Sequence, residues 1–434
     1  MTVGLGFQAA VLGFAAEETF GTKVTPTKFI ELLSGNVTKS IEPIVSGAIP
    51  GIYTDDDEFA QGVVKVEGSF EFEFRYEGME LLLQHAMGAV STVEIASFVV
   101  YDSGSNQNNK IDFNIGAGEL TATIAAGTYA VGQTDADTGT LCAIIKAALS
   151  AADATGTYTV SFSRTTKKVT FARSEGTFSI SWIGGTNASD GMGTLLGCTA
   201  DDTGALSYVS DAAIVPVFTH TFALADALPA GMTFELDEDI SAATIEGGKI
   251  NSLELSLEVG GYLKGTLGIV GEDKTYGAAT AQTLPIASLV NFTQGAVTYG
   301  GTAKNIKAMS LSLNNSLKTD RYFIGGTNIK EPTRGGKVEI TGSVTIDFES
   351  IDEYNDYVAG TAKAIVITLT GAVIKGVLAR SITITLPAVR LTASVPNISD
   401  EGPMELEMPF KAYAQSSATR EFSVAIQNTL SAVA

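Results

Sequence analysis

Alternation with a period of two marks this chain at intervals along its length. In KVEGSFEFEF, residues 65–74, Val66, Phe70, Phe72 and Phe74 fall on one face of a strand and Glu67, Ser69, Glu71 and Glu73 on the other. LELSLEV repeats the scheme with Leu253, Leu255 and Leu257 against Glu254, Ser256 and Glu258. MELEM does so with Met404, Leu406 and Met408 against Glu405 and Glu407. Each such strand must bury its apolar side and leave an acidic side in water. Helical periodicity is rarer. EGMELLLQHAMG (77–88) gathers Leu82, Leu83 and Met87, and DADTGTLCAIIKAALSAAD sets Leu141, Ile144, Ile145, Ala148 and Leu149 along one side. Short runs of Thr, Ser, Val and Ala broken by Gly, Asn and Asp complete the texture of a β-rich protein.

The first strand has an echo. Val66 to Phe74 aligns without a gap with Ile340 to Phe348, ITGSVTIDF, and each strand leads into a short helical stretch ending in Gly, at 77–88 and at 351–360. Upstream, SGNVTKS (34–40) is matched to LNNSLKT (313–319), each followed by a long turn-rich segment. Downstream, KINSLELSLEVGGYLKGTLGIVG (249–271) is matched in kind by VRLTASVPNISDEGPMELEMPFKAY (389–413). Four elements recurring in one order predict an internal duplication. The expected units are 1–97 with 215–289, then 290–434, and an inserted α+β module, 98–214, that projects outward from a loop tip of its host. Within the insert ELTATI and FSISWI read as strands, YTVSFSRTTKKVTF as a hairpin, and ASDGMGTLLG as a short helix behind an Asx or Ser cap.

Charge narrows the possible partners. The formal net charge of −21 argues against nucleic acid as a bound ligand, because phosphate affinity comes from Lys and Arg releasing counterions. It leaves nucleic acid possible as a neighbour that an acidic surface keeps from sticking. No apolar run is long enough for a membrane span, and MTVGLGFQAAVLGF lacks the positive start of a secretory signal. The expectation is a soluble chain made in a cytoplasm, not inserted in a membrane, with Cys142 and Cys198 as free buried thiols.

Motifs for chemistry fail one after another. Gly4-x-Gly6-x-x-Ala9 resembles a dinucleotide fingerprint without the strand it must follow. The acidic runs TDDDEF (54–59) and ELDEDIS (235–241) lack the glycine and closing glutamate of a calcium loop. His85 and His220 sit among apolar neighbours and read as structural. Gly260 to Thr266 has its Lys ahead of its Gly, unlike a phosphate loop. No enzyme, cofactor or metal is expected.

The long segments after Lys39 and Lys318 mix Ile44, Ile49, Ile52 and Tyr53, or Tyr322, Phe323 and Ile324, with turn residues. Apolar residues on long arms imply a partner surface. The stretches GFQAAVLGFAAEETFGTKVTPTKFIELLS, DDDEFAQGVVKVEGSFEFEF, GGKINSLELSLEVGG and LSLNNSLKTDRYFIGG resemble the major tail tube protein of long-tailed, non-contractile bacteriophages. The resemblance covers most of 1–90 and 216–434. It implies a mainly β fold: two tandem tail-tube-like β-sandwich or barrel domains, each with a short flanking helix, beside the α+β insert. It further implies self-assembly into stacked rings in the virion, other tail proteins at the tube ends, and DNA in transit through the lumen without specific binding. A duplicated chain would make rings of three with pseudo-sixfold symmetry. Candidate lumen positions are Glu67, Glu71, Glu73, Thr345 and Asp347. Ile44, Ile49, Ile52, Tyr53, Tyr322, Phe323 and Ile324 are candidate contacts between rings. The alternative reading is a decoration or adhesin-type surface protein.

Overall fold

Strands with one apolar side need a second layer to cover it, and the chain supplies that layer twice. A computed structural model describes residues 11–45, 59–285, 287–375, 377–393, 404–415 and 421–433. It is mainly β. The first half runs β1 (Val11–Glu17), β2 (Lys28–Glu31), β3 (Ser34–Val45), β4 (Phe59–Glu73), α1 (Glu80–Met87) and β5 (Gly88–Ile95). It resumes after residue 214 with β6 (Val217–Leu224), β7 (Gly231–Asp237), β8 (Ala242–Glu258), β9 (Lys264–Gly271) and β10 (Asp273–Gly277). The second half holds β11 (Gly295–Tyr299), β12 (Thr302–Lys304), β13 (Ile306–Asn314), β14 (Glu339–Asp347) and α2 (Asp352–Ala359). It ends with β15 (Lys363–Lys375), β16 (Leu378–Leu391), β17 (Glu405–Ala412) and β18 (Ser423–Asn428).

Antiparallel pairing joins β3, β4, β9, β8, β13, β14 and β17 into one layer that crosses from the first half to the second. A second layer orders β5, β6, β18, β16, β15, β11 and β12, and it too crosses between the halves, where β6 meets β18. The strands β2, β1, β7 and β10 add a smaller sheet on the N-terminal part of β8. Long β8 and β16 each serve two sheets, as strands that turn a corner do. Register shifts between Ile250 and Ser252, and again within the pairing of β15 with β16, help them bend. One hydrophobic core, including Phe70, Phe72, Leu255, Leu311, Val344 and Ile384, fills the space between the layers of both halves.

The two halves share a strand register. Val37 faces Gly68 in the first half, and Leu311 faces Gly342 in the second. A Cβ on Gly68 would run into the carbonyl oxygen of Asn36, and one on Gly342 into that of Ser310. Both copies of the Gly-Ser pair therefore keep a glycine for the same close backbone approach. The same register corrects the alignment upstream: the partner of β3 is Ile306–Asn314, not 313–319. Shared Asn and Lys identities had pointed five residues too far along. Downstream the match holds, for Glu67 faces Val270 beside Lys249, while Thr341 faces Lys411 beside Arg390. The corresponding segments 41–64 and 315–338 are then equal in length, and in the first of them Ile41–Val45 and Phe59–Val64 continue the β3–β4 pairing.

Residues 98–214 build a core of their own, including Phe113, Ile145, Tyr158, Phe171 and Trp182. Its helix Leu141–Ala152 buries Leu141, Cys142, Ile145 and Leu149, and the hairpin Tyr158–Ser163 with Lys168–Arg173 forms as its alternation predicts. The 188–197 stretch splits into a 3-10 turn and a one-turn helix, Gly193–Leu196, and neither has a side-chain cap. A buried Asp153 accepts hydrogen bonds from Tyr158 at 2.8 Å and Arg173 at 3.1 Å. Against the host, Val131 N donates to Glu94 at 2.6 Å, Arg164 lies over the Phe218 ring, and the Lys375 amine sits over the Phe98 ring at 3.1 Å. Lys375 belongs to the β15–β16 hairpin, the second half's counterpart of the β5–β6 hairpin that the 98–214 segment interrupts.

Candidate functional site: a polar sheet face and its edges

The first layer turns Phe70, Phe72, Leu253, Leu255, Leu311 and Val344 inward, so every intervening side chain faces out. Glu67 is exposed, and Glu71 and Glu73 are half-buried on that outer face. Thr345 and Asp347 take the matching half-buried positions on β14. All five predicted residues thus share one face of one sheet that runs through both halves. Sequence reasoning missed how wide this face is. It also contains Glu254, Glu258, Glu339, Glu405 and Glu407, and the pairing of β8 with β13 that unites them links residues far apart in the chain.

Charge is uneven across the face. In the first half Lys264 stands 3.7 Å from Glu71, and the surrounding carboxylates outnumber it. In the second half Lys307 bridges Asp347 at 2.6 Å and Glu405 at 2.8 Å, and Lys411 pairs with Glu339. Hydrogen bonds to Asp347 and Glu405 hold the Lys307 ammonium above its ordinary pKa, and the bond to Glu339 does the same for Lys411. Between the charged zones lies a hydroxyl strip, Ser256, Thr266, Ser310, Ser312, Thr341 and Ser343, in which the Ser310 and Ser343 hydroxyls meet at 3.0 Å. A shallow trough of about 460 Å³ follows this strip.

The two ends of the layer differ from its middle. Among the described residues β3 pairs with no strand but β4, so its outer edge has no strand neighbour there, although the Val37 carbonyl accepts from Lys274 Nζ at 2.9 Å, and all its side chains but Val37 are exposed. Its ribbon with β4 extends past the sheet and carries exposed Ile41, Ile44 and Val45. Ile49, Ile52 and Tyr53 lie outside the described residues, as do the carboxylates 55–58. The second arm is docked on the first half. Val64 N donates to Thr327 O at 2.9 Å, the Tyr322 hydroxyl donates to Val64 O at 2.9 Å, and buried Lys249 pairs with Glu331 at 2.5 Å. Asn315 donates to the carbonyls of Ala86 and Ile250, and Arg334 to that of Ala225. Tyr322 therefore uses its hydroxyl within the chain, whereas Phe323 and Ile324 are exposed.

Both histidines serve packing. His220 is buried in β6, where Nε2 donates to Leu430 O at 2.9 Å and approaches Asn428 Oδ1 at 3.2 Å, while Nδ1 accepts from Thr92 at 2.8 Å. Burial lowers its pKa, consistent with a neutral ring in this tautomer. Asn428 passes the chain on to Glu80 at 2.6 Å, whose carboxyl burial pushes up to about 7. His85 on α1 is lowered to about 4 by burial and by the nearby Lys249. Cys142 and Cys198 are free and buried, each pushed by burial up to about 12, far from a reactive thiolate. Glu235 and Asp237 are taken up by Thr280 and Gln282. Among the described residues no cluster of His, Cys, Asp or Glu could hold a metal, and no helix is long and apolar enough to cross a membrane.

A broad polar face, a strand edge without a neighbour among the described residues and a docked arm are equipment for assembly. Residues 8–412 match the family model described as phage tail tube protein. The chain belongs to that family. Membership makes it a structural component of a phage tail, and the match spans both halves together with the segment between them. No curated protein matches the chain.

Proposed function

We propose that the chain polymerises head to tail into closed rings of three copies, which stack into the tube of a long, non-contractile tail and form the channel for genome ejection. The observation that carries this reading is the antiparallel pairing of β8 with β13, from Ser252↔Asn314 to Glu258↔Ala308. It joins the end of one sheet module to the start of the next. Among the described residues β3, the counterpart of β13, has no strand on its outer edge. Val389–Leu391 of β16 stand beside β17 as Lys249 of β8 stands beside β9. The counterpart of Ser252–Glu258 would be the segment that continues from there, residues 393–399, which lies outside the described residues except for Ala393. A head-to-tail contact of this kind makes a ring when its rotation closes. Edge-to-edge pairing satisfies backbone groups that otherwise invite aggregation. Three chains with two modules each would supply six modules to the wall.

In this reading the polar face lines the lumen. Its carboxylates repel DNA phosphates and its hydroxyl strip offers no cationic anchor, so DNA passes without binding. Ile44, Phe323 and Ile324 would face the next ring along the axis, and other tail proteins would close the two ends. Negative-stain images of the purified chain test this. Rings or tubes with a central hole and three chains per ring are expected. Six full chains per ring would refute the threefold closure, and a stable monomer that binds cells or glycans would favour the decoration or adhesin reading instead.

A further inference from the structure

The docked second arm shows what a module must present to hold its neighbour's arm, and the second half carries a copy of that surface left exposed among the described residues. On the first half the holding groups are Lys249, Asn251 and the C-terminal turn of α1 at Ala86. Their counterparts on the second half are Arg390, Thr392 and Val358, the last placed by matching the helix-ending Gly88 and Gly360. Lys249 is nearly buried under Glu331, but Arg390 and Thr392 are exposed, and Val358 is 65% exposed. Among the described residues Arg390 has no carboxylate partner, and its guanidinium lies over the Tyr413 ring at 5.6 Å.

We infer that Arg390, Thr392 and Val358 form the docking site for the first-half arm of a second copy of this chain. Chemistry on the incoming side fits. Counting along arms of equal length, the place of Glu331 falls to Asp57, within the sequence run Asp55-Asp56-Asp57-Glu58. The place of Asn315, whose amide bonds the Ala86 carbonyl, falls to Ile41, which is 45% exposed and suited to apolar Val358. The internal contact of Lys249 with Glu331 becomes an intermolecular contact of Arg390 with Asp57, and one hydrogen bond becomes an apolar pair.

The inference rests on the ring reading above, and a charge swap separates the two. Purified wild type, Arg390→Glu, Asp57→Lys and the double variant are compared at one protein concentration for ring yield by sedimentation and electron microscopy. Each single variant should lower the yield about tenfold or more, since it opposes like charges across the contact, and the double variant should restore most of it. Thermal melting of the Arg390→Glu monomer should match wild type, because the side chain is exposed. Absence of rings from wild type would refute the ring reading itself. Wild-type ring yield from Arg390→Glu, or a folded double variant that fails to recover, would overturn the docking site alone.

Discussion

β13 and β3 hold the same place in the two halves, and among the described residues only β13 has a strand neighbour on its outer edge. It buries Met309, Leu311 and Leu313 directly beside Leu257, Leu255 and Leu253 of β8. β3 has Gly35, Val37 and Lys39 at the matching positions, and of these only Val37 is buried. The covered copy carries a full apolar side. The uncovered copy is thin and polar, as an edge that must stay soluble before it finds a partner has to be. One module design thus serves as core at one junction and, in the proposed ring, as interface at the other.

The largest expected effect breaks the covered copy. Leu311→Ala should cost about 4 kcal/mol of monomer stability in urea titration, whereas Val37→Ala should cost about 1.5 kcal/mol. Equal losses would mean that the two strands are not so differently packed. Next comes pH, because two buried groups flank the first half's helix with opposite signs. Folded His85 protonates only near 4, so between its unfolded value of 6.5 and 4 the unfolded chain binds more protons and stability falls on acidification. Folded Glu80 keeps its proton up to about 7, so between 4.5 and 7 stability falls as pH rises. His85→Gln should therefore tilt the stability profile across pH 4.5–6.5 toward acid, and Glu80→Gln toward base, each by up to roughly 3 kcal/mol. A shared direction would contradict the assignment.

Smaller changes sharpen the equivalence of the two copies. Gly68→Ala and Gly342→Ala should each lose about 2 kcal/mol, because both Cβ atoms meet a neighbouring strand's carbonyl. A loss at one site only would show that the copies are packed differently there. Smallest of all, Glu67→Gln with Glu71→Gln and Glu73→Gln should shift monomer stability by under about 0.5 kcal/mol per site, since these carboxylates lie on the open face. A large change in melting temperature would place them in the core instead.

Local pattern made much of this fold legible. The alternation in 65–74, 253–259 and 404–408 reports one buried side, and β4, β8 and β17 show it. The Gly-Ser echo is readable because a backbone contact demands the glycine twice. The match of β3 to β13 was harder, because their side chains have diverged with their surroundings: Lys39 stands where Leu313 is buried. The junction of β8 with β13 leaves no local signature at all, since any apolar alternation could have met any other. For the same reason the docking of the second arm through Lys249, Glu331 and Tyr322 could not be read from its turn-rich sequence.

Amide hydrogen exchange on β3 before and after assembly tests most directly whether its outer edge is the missing half of a junction. In the monomer the outward amides of Ser34–Ser40 should exchange fast while those of β13 are protected, and in assembled tubes β3 should slow toward the level of β13. Fast exchange along β3 in intact tubes would contradict the account.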